Sequence, residues 1–364
     1  ANEKTLATAL KEQGYTTAAF GKWHLGAQPG YRPNERGFDY FWGFLAGSRS
    51  YFHNEEQDVD GNPRAMIENN KHVTFDGYLT DRLGEKAVDF IDKNKHHPFF
   101  IYWSPNAVHT PMEATQEDLD KFQGHPRQIL AAMTWSLDRA VGDITDKLAQ
   151  EGLLENTLLF FLSDNGGAHN NQSSNLPLKG FKGNKFEGGH RVSFIVTWAS
   201  ELLGNRTYDG LTSSLDIYAT ALDAAGADSI TKLGLDGVSL LPHLKGQNTS
   251  DPHNQLFWRK DKMAAARVNN YKLIRVEGLP SVMYNLSDDL GEVNERSDKE
   301  PTQFKELNLE LENWEKNLMK PLWTEGATWD TITWMIHHDL MNNNPVRVKS
   351  PGQLKEFISE QNIQ

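Results

Sequence analysis

The side chains of this sequence that could do chemistry fall in a few short stretches. Ser163, Asp164 and Asn165 stand directly before Gly166 and Gly167. Asp164 and Asn165 are oxygen donors of the kind a hard cation takes, and the glycines beside them let the backbone turn sharply and approach a ligand. Lys182 follows in GFKGNKFEGGHRV, close enough in the chain to place an anion-binding ammonium near that turn. Upstream, Lys22 and His24 lie two apart in GKWHLG, a spacing that puts both on one side of an extended segment. An ammonium and an imidazole facing one pocket can bind a doubly charged oxyanion and move a proton. His109, in SPNAVHTP, sits in a proline-restricted loop that suits a positioned proton donor. Each has a plainer alternative: an Asx turn for Asp164 and Asn165, a solvated lysine beside a structural histidine for Lys22 and His24, a locally bonded loop residue for His109.

The elements that must hold these residues read as alternating strands and helices. Leu158–Leu162 is an unbroken apolar run of strand length, which predicts a strand buried on both faces inside a parallel sheet. Val192–Trp198 predicts a second apolar strand. Tyr15–Phe20 and Pro98–Trp103 read as strands too, so three clusters of polar groups follow the carboxyl ends of strands, where open α/β sheets bind ligands. Helices are predicted over Leu6–Lys11, stopped by Gly14, over Leu79–Lys93, over Ile129–Leu148 and over Leu215–Ala225. Tyr31–Phe52, with RGFDYFWGF, is expected to form a covering loop, and Arg36, Arg49, His53 and Asn54 are its weak candidates for ligand contact. From Gln255 onward short strands are predicted at Gln255–Trp258, Ala264–Val268, Tyr271–Val276 and Val282–Leu286, then a helix over Thr302–Met319. The expected organisation is therefore α/β: a predominantly parallel central sheet covered by helices in residues 1–248, and a small α+β subdomain with an antiparallel sheet in 249–364.

Composition narrows the classes of function. The 364 residues suffice for one large α/β domain and a small one. A net charge of −12 argues against a nucleic-acid partner, which would need concentrated Lys and Arg. With no cysteine there is no disulfide and no thiolate metal site. No apolar run approaches a membrane span. Trp323, Trp329 and Trp334 in the tail could stack on sugars, though aromatic area is more often packing area.

The motifs SDNGG, LKGFKGNKFEGGHRV and GYTTAAFGKWHLG, in this order and joined by SSLDIYATALDAAG and LDGVSLLPHLKG, resemble the type I sulfatases of the alkaline-phosphatase-like superfamily. The resemblance runs from Ala1 to about Asn294. It implies an alkaline-phosphatase-like fold and hydrolysis of sulfate monoesters, with a sulfated saccharide as the expected substrate. Lys22 and Lys182 would neutralise the sulfate oxygens, and spacing to Glu187, Gly188 and Gly189 selects Lys182 over Lys179 and Lys185. His109 would protonate the leaving oxygen, and His24 would act on a hydrated formylglycine to help expel sulfate. Asp164 and Asn165 would bind a metal, calcium before magnesium. His169, Asn170 and Arg36 are weaker candidates for substrate contact, and Glu187 and Arg191 are expected as structural support.

In that family the formylglycine arises in an earlier Cys-or-Ser, any, Pro, any, Arg motif. The nearest match here, Asn343–Arg347, has Asn at the nucleophile position and lies far downstream. The sequence is therefore expected to lack the amino-terminal portion of such an enzyme and to be inactive alone. The resemblance favours a periplasmic or secreted protein. A phosphate or phosphonate ester hydrolase of the same superfamily, or a noncatalytic anion-binding relic, are the alternatives.

Overall fold

The computed structural model describes residues 3–227 and 233–361. Ala1, Asn2, residues 228–232 and residues 362–364, which belong to the two expected segments, lie outside them.

Helix α1 (Leu6–Glu12), capped by the Thr5 hydroxyl on the amide of Thr8, leads into strand β1 (Thr16–Lys22). Strands β2 (Tyr40–Phe44), β3 (Ile67–Glu68) and β4 (Lys71–His72) follow. Next come α2 (Leu79–Asn94), β5 (Phe99–Ser104), α3 (Gln116–Lys121) and α4 (Gln128–Gln150). The sheet order is β4-β3-β2-β1-β5, parallel across β2, β1 and β5 and antiparallel towards β4. Helix α2 lays Leu79, Leu83, Ala87 and Phe90 onto Ala18, Phe20 and Phe44 of the sheet. Burying a Leu or Phe contributes about 1.5–3 kcal/mol, so this face fixes the directions of β1 and β2.

Two expectations change here. RGFDYFWGF is not a covering loop. Its Tyr40–Phe44 is a central strand, with Phe41, Trp42 and Phe44 buried. Gly43 permits the close pairing, since a Cβ there would lie 2.0 Å from the Gly21 carbonyl oxygen. The aromatic richness that suggested a loop is core composition. The strand β6 (Leu159–Leu162) is likewise not doubly buried in a parallel sheet. It pairs antiparallel with β7 (Phe194–Thr197) as a two-stranded unit, leaving Phe161 37% and Ile195 55% exposed. An apolar run records a capacity for burial but not the partner. The short helix α5 (Glu187–His190) lies between these strands, and α6 (Asp216–Ala224) and α7 (Leu241–Leu244) follow them.

The remaining strands β8 (Gln255–Lys260), β9 (Met263–Val268), β10 (Tyr271–Val276) and β11 (Val282–Asn285) form an antiparallel sheet in the order β11-β10-β9-β8. Helix α8 (Pro301–Glu315) packs Leu307 and Leu311 on one face of it. On the other face, α9 (Ala327–Met341) and α10 (Pro351–Gln361) join Ile274, Tyr284 and Phe186 in one core cluster. The tail that carries Trp323, Trp329 and Trp334 is thus largely helical. Phe186 ties this subdomain to the loop bearing Lys182.

Candidate active site

Lys22 ends β1, and Ser104, at the end of the parallel neighbour β5, donates its hydroxyl to the Lys22 carbonyl at 2.8 Å. The two carboxyl ends therefore share one edge of the sheet. His24 lies beyond the strand in the left-handed region, φ 55°. The alternation expected to align Lys22 with His24 stops at Lys22, and it is the turn that returns the imidazole. Its ring rests on Gly47, where a Cβ would lie 2.6 Å from Cε1 and Nε2.

The loop after β5 brings His109. The buried Tyr51 hydroxyl bonds the carbonyls of Asn106 at 2.6 Å and His109 at 2.8 Å, fixing the backbone there. Nδ1 of His109 lies 2.7 Å from the Thr110 carbonyl oxygen. A carbonyl only accepts, so Nδ1 carries a proton and Nε2 is the atom left for proton exchange.

The turn after β6 approaches the Lys182 loop very closely. A Cβ on Gly166 would sit 1.8 Å from the Gly188 carbonyl oxygen, so only glycine fits. Asn175 braces both segments, accepting from the Gly167 amide at 2.7 Å and donating to the carbonyls of Gly167 at 3.0 Å and Gly180 at 3.1 Å. The amide of Lys182 donates to Gly167 at 3.1 Å. Asn171 donates to the Val108 carbonyl at 3.2 Å and ties this loop to the one carrying His109.

Lys22, His24, His109, Asp164 and Lys182 consequently act on one another electrostatically. Burial lowers the pKa of Lys22, an effect Asp164 opposes and Lys182 reinforces. His24 is lowered by burial and by the charges of Lys22, Lys182 and His109, again against Asp164. Cationic groups held this close can be relieved by a bound anion. His109 and Lys182 line a common cavity of about 290 Å3 together with Asn170 and His169. His169 packs on Phe181 at 5.3 Å between ring centroids.

Other candidates are elsewhere engaged. Arg36 donates to the Glu3 carbonyl at 2.9 Å beside α1 and lines neither this cavity nor its neighbour. Arg49 is buried in a two-pronged pair with Asp58, 2.8 and 2.9 Å. His53 reaches the same carboxylate at 3.1 Å, and Asn54 accepts from the amides of Glu56 and Gln57. Lys179 bonds Asn343 and the carbonyls of Glu292 and Leu340. Glu187 takes the buried ammonium of Lys272 at 2.7 Å, and its amide donates to Glu292 at 2.7 Å.

Asp164 and Asn165 fit a hard cation in kind but not in number. Calcium takes about six to eight oxygens, and no group of three or more His, Asp or Glu side chains among the described residues could hold a metal.

The Sulfatase family profile matches residues 1–227, more than half of the chain. The chain belongs to the sulfatase family. Among sulfatases it is 33% identical over 290 residues to the uncharacterized sulfatase YdeN of Escherichia coli K12, covering 70% of this chain and 49% of that protein. It is 30% identical over 289 residues to the N-acetylgalactosamine-6-sulfatase of Canis lupus familiaris, covering 74% and 54%. The crystal structure of Ps i-CgsB in complex with k-i-k-neocarrahexaose superposes with a TM-score of 0.83 at 33% identity, covering 91% of this chain and 78% of that one. The chain spans about half the length of the curated sulfatases it matches. The alkaline-phosphatase-like architecture expected of a sulfatase, a helix-covered sheet with a parallel centre and a separate antiparallel sheet, is present.

Sequence reasoning missed Tyr51, Asn171 and Asn175, which position the loops, and Lys349, which lines the cavity from the far end of the chain. Asparagines in a polar loop and one lysine before a helix carry no pattern that would single them out.

Proposed function

We propose that the full-length protein containing this chain hydrolyses sulfate monoesters on a sulfated carbohydrate. The observation that supports the reading is the electrostatic coupling of Lys22, His24, His109, Asp164 and Lys182, brought from the ends of β1, β5 and β6 and from the loop after β6. A sulfate ester is anionic and gains charge on the leaving oxygen as its S–O bond breaks, so cations around sulfate and a proton donor lower the barrier. Lys22 and Lys182 serve as the cations. His109, held through Nδ1, delivers a proton from Nε2 to the departing alcohol. His24, its pKa lowered by partial desolvation and by the neighbouring Lys22, Lys182 and His109, serves as the proton acceptor. Formylglycine and calcium are assigned to the full-length protein on family resemblance, the former supplying the nucleophile and the latter bound in part by Asp164 and Asn165. Location outside the cytoplasm rests on the same resemblance.

The carbohydrate part is supported by two relatives: an N-acetylgalactosamine-6-sulfatase and a protein crystallised with a neocarrahexaose. Parallel assays of the full-length protein on sulfated and phosphorylated glycosides test the reading. Sulfate turnover well above phosphate turnover is expected. Negligible sulfate turnover with rapid phosphate turnover would transfer the protein to phosphate ester chemistry.

A further inference from the structure

The cavity that holds His109 and Lys182 does not end there. It extends to Trp329 on α9 and to Lys349 just before α10, and it adjoins a second cavity of about 450 Å3 with which it shares His169, Phe181 and Lys349. We propose that this extension binds a second sugar of the substrate bearing its own anionic group, with the Trp329 indole as platform and Lys349, beside His169, receiving the anion. The proposal rests on the sulfatase reading in that the ester to be cleaved sits at Lys182 and His109.

The position of Lys349 is built into the fold. Val348, 1% exposed, and Leu354 anchor its two sides in the core. Its amide donates to the Gln353 side chain at 2.8 Å. The backbone is therefore fixed while the half-buried side chain lines the cavity. No carboxylate pairs with its ammonium among the described residues. Lys260, in the same cavity, is neutralised by Glu325 at 2.8 Å. A cation on a cavity wall without a counter-charge is free to pair with an anionic group of a bound ligand. His169 feels this charge: burial first, then Lys349, lowers its pKa. Trp329 is 42% exposed on the cavity wall, an indole face available to the C–H face of a sugar ring. Ligand sites usually span about 300–1,000 Å3. The adjoining cavities of about 290 and 450 Å3 therefore offer more room than one monosaccharide needs.

The test compares, in the full-length protein, a disaccharide sulfated on both sugars with the same disaccharide sulfated only at the ester to be cleaved. The doubly sulfated compound should be preferred in kcat/KM, and Lys349→Met should reduce that preference about tenfold. Trp329→Ala should lower kcat/KM for both disaccharides relative to an aryl sulfate. An unchanged preference in folded Lys349→Met would overturn the proposal. Should that variant not fold, the wild type decides: KM for the doubly sulfated compound must rise more steeply with salt than KM for the singly sulfated one, and parallel slopes refute the subsite. If the wild type cleaves neither compound yet binds the doubly sulfated one more tightly by calorimetry, the sulfatase reading fails and the anion subsite stands. Cleavage of both compounds with equal kcat/KM removes the subsite alone.

Discussion

The hydroxyl of Tyr51 bonds the backbone carbonyl of His109 at 2.8 Å, and so a fully buried aromatic from a different segment sets where the imidazole can reach. Tyr51→Phe leaves the carbonyls of Asn106 and His109 without this donor. A buried polar group deprived of its partner costs about 1–3 kcal/mol, so the urea midpoint should fall by a corresponding amount. Turnover should fall with it, because the loop carrying His109 loosens. A midpoint within error of wild type would show that the bond does not hold the loop.

His109→Ala in the full-length protein should impair sulfate esters of poor leaving groups far more than activated aryl sulfates, which need little protonation as they depart. General acid catalysis is worth about 10²–10⁴-fold, so the two substrate classes should diverge on that scale. Equal losses on both count against His109 as the donor.

Gly47→Ala should displace His24 rather than unfold the protein. The added Cβ would meet the His24 ring at 2.6 Å, and the ring can move because it lies on the exposed side of the turn. Activity should drop while the melting temperature changes by only a few degrees. Full activity would mean that the His24 position is not needed.

Two histidines link stability to pH. Burial pushes His337 and His190 down to about 4 from the ordinary value of 6.5. At His337 the geometry requires the neutral ring, since Nδ1 donates to the Thr333 carbonyl at 2.8 Å and Nε2 accepts from the Lys185 amide at 3.3 Å. Below pH 6.5 the unfolded chain takes up protons that the folded one refuses, so stability should fall as pH drops from about 6.5 to about 4. His337→Gln should flatten this part of the profile in urea titrations. A slope identical to wild type would exclude His337 as its source.

Lys272 is fully buried between Glu187 at 2.7 Å and Glu292 at 3.1 Å. Burial would raise both carboxylates. Lys272 reverses this at Glu187, which is held well below the usual range, while Glu292 remains raised. Glu187, the residue that opens α5, is the nearer of the two carboxylates to the cation. Lys272→Met strands buried charge and should cost about 3–5 kcal/mol. Adding Glu187→Gln and Glu292→Gln should recover part of the loss. A single variant as stable as wild type would show that the charges are already solvated.

Much of the arrangement was legible in the chain. The helical period of Leu79–Lys93 gave α2, found at Leu79–Asn94, and the alternating runs after Gln255 gave the four antiparallel strands. Misreadings arose where one pattern serves two structures. The aromatics of Tyr40–Phe44 suit a loop cover and a buried strand alike, and the apolar Leu158–Leu162 does not specify its neighbour. In the tail only the tryptophans stand out in the sequence, whereas α9 and α10 bury Ile332, Met335, Leu340 and Leu354 in the core shared with the antiparallel sheet.

The sequence by itself determined which residue types stand at the ends of strands: a lysine and an imidazole after β1, a histidine after β5, oxygen donors after β6. Those are local facts, set by a strand's length and the turn that follows. Whether such groups meet depends on the parallel pairing of β1 with β5 and on glycines that admit another backbone within contact distance. Only the tertiary structure decided that Lys349 and Trp329 approach His109 and Lys182, because contact across more than 140 residues is settled by the burial of Phe186 against α9 and the C-terminal sheet rather than by any spacing in the chain.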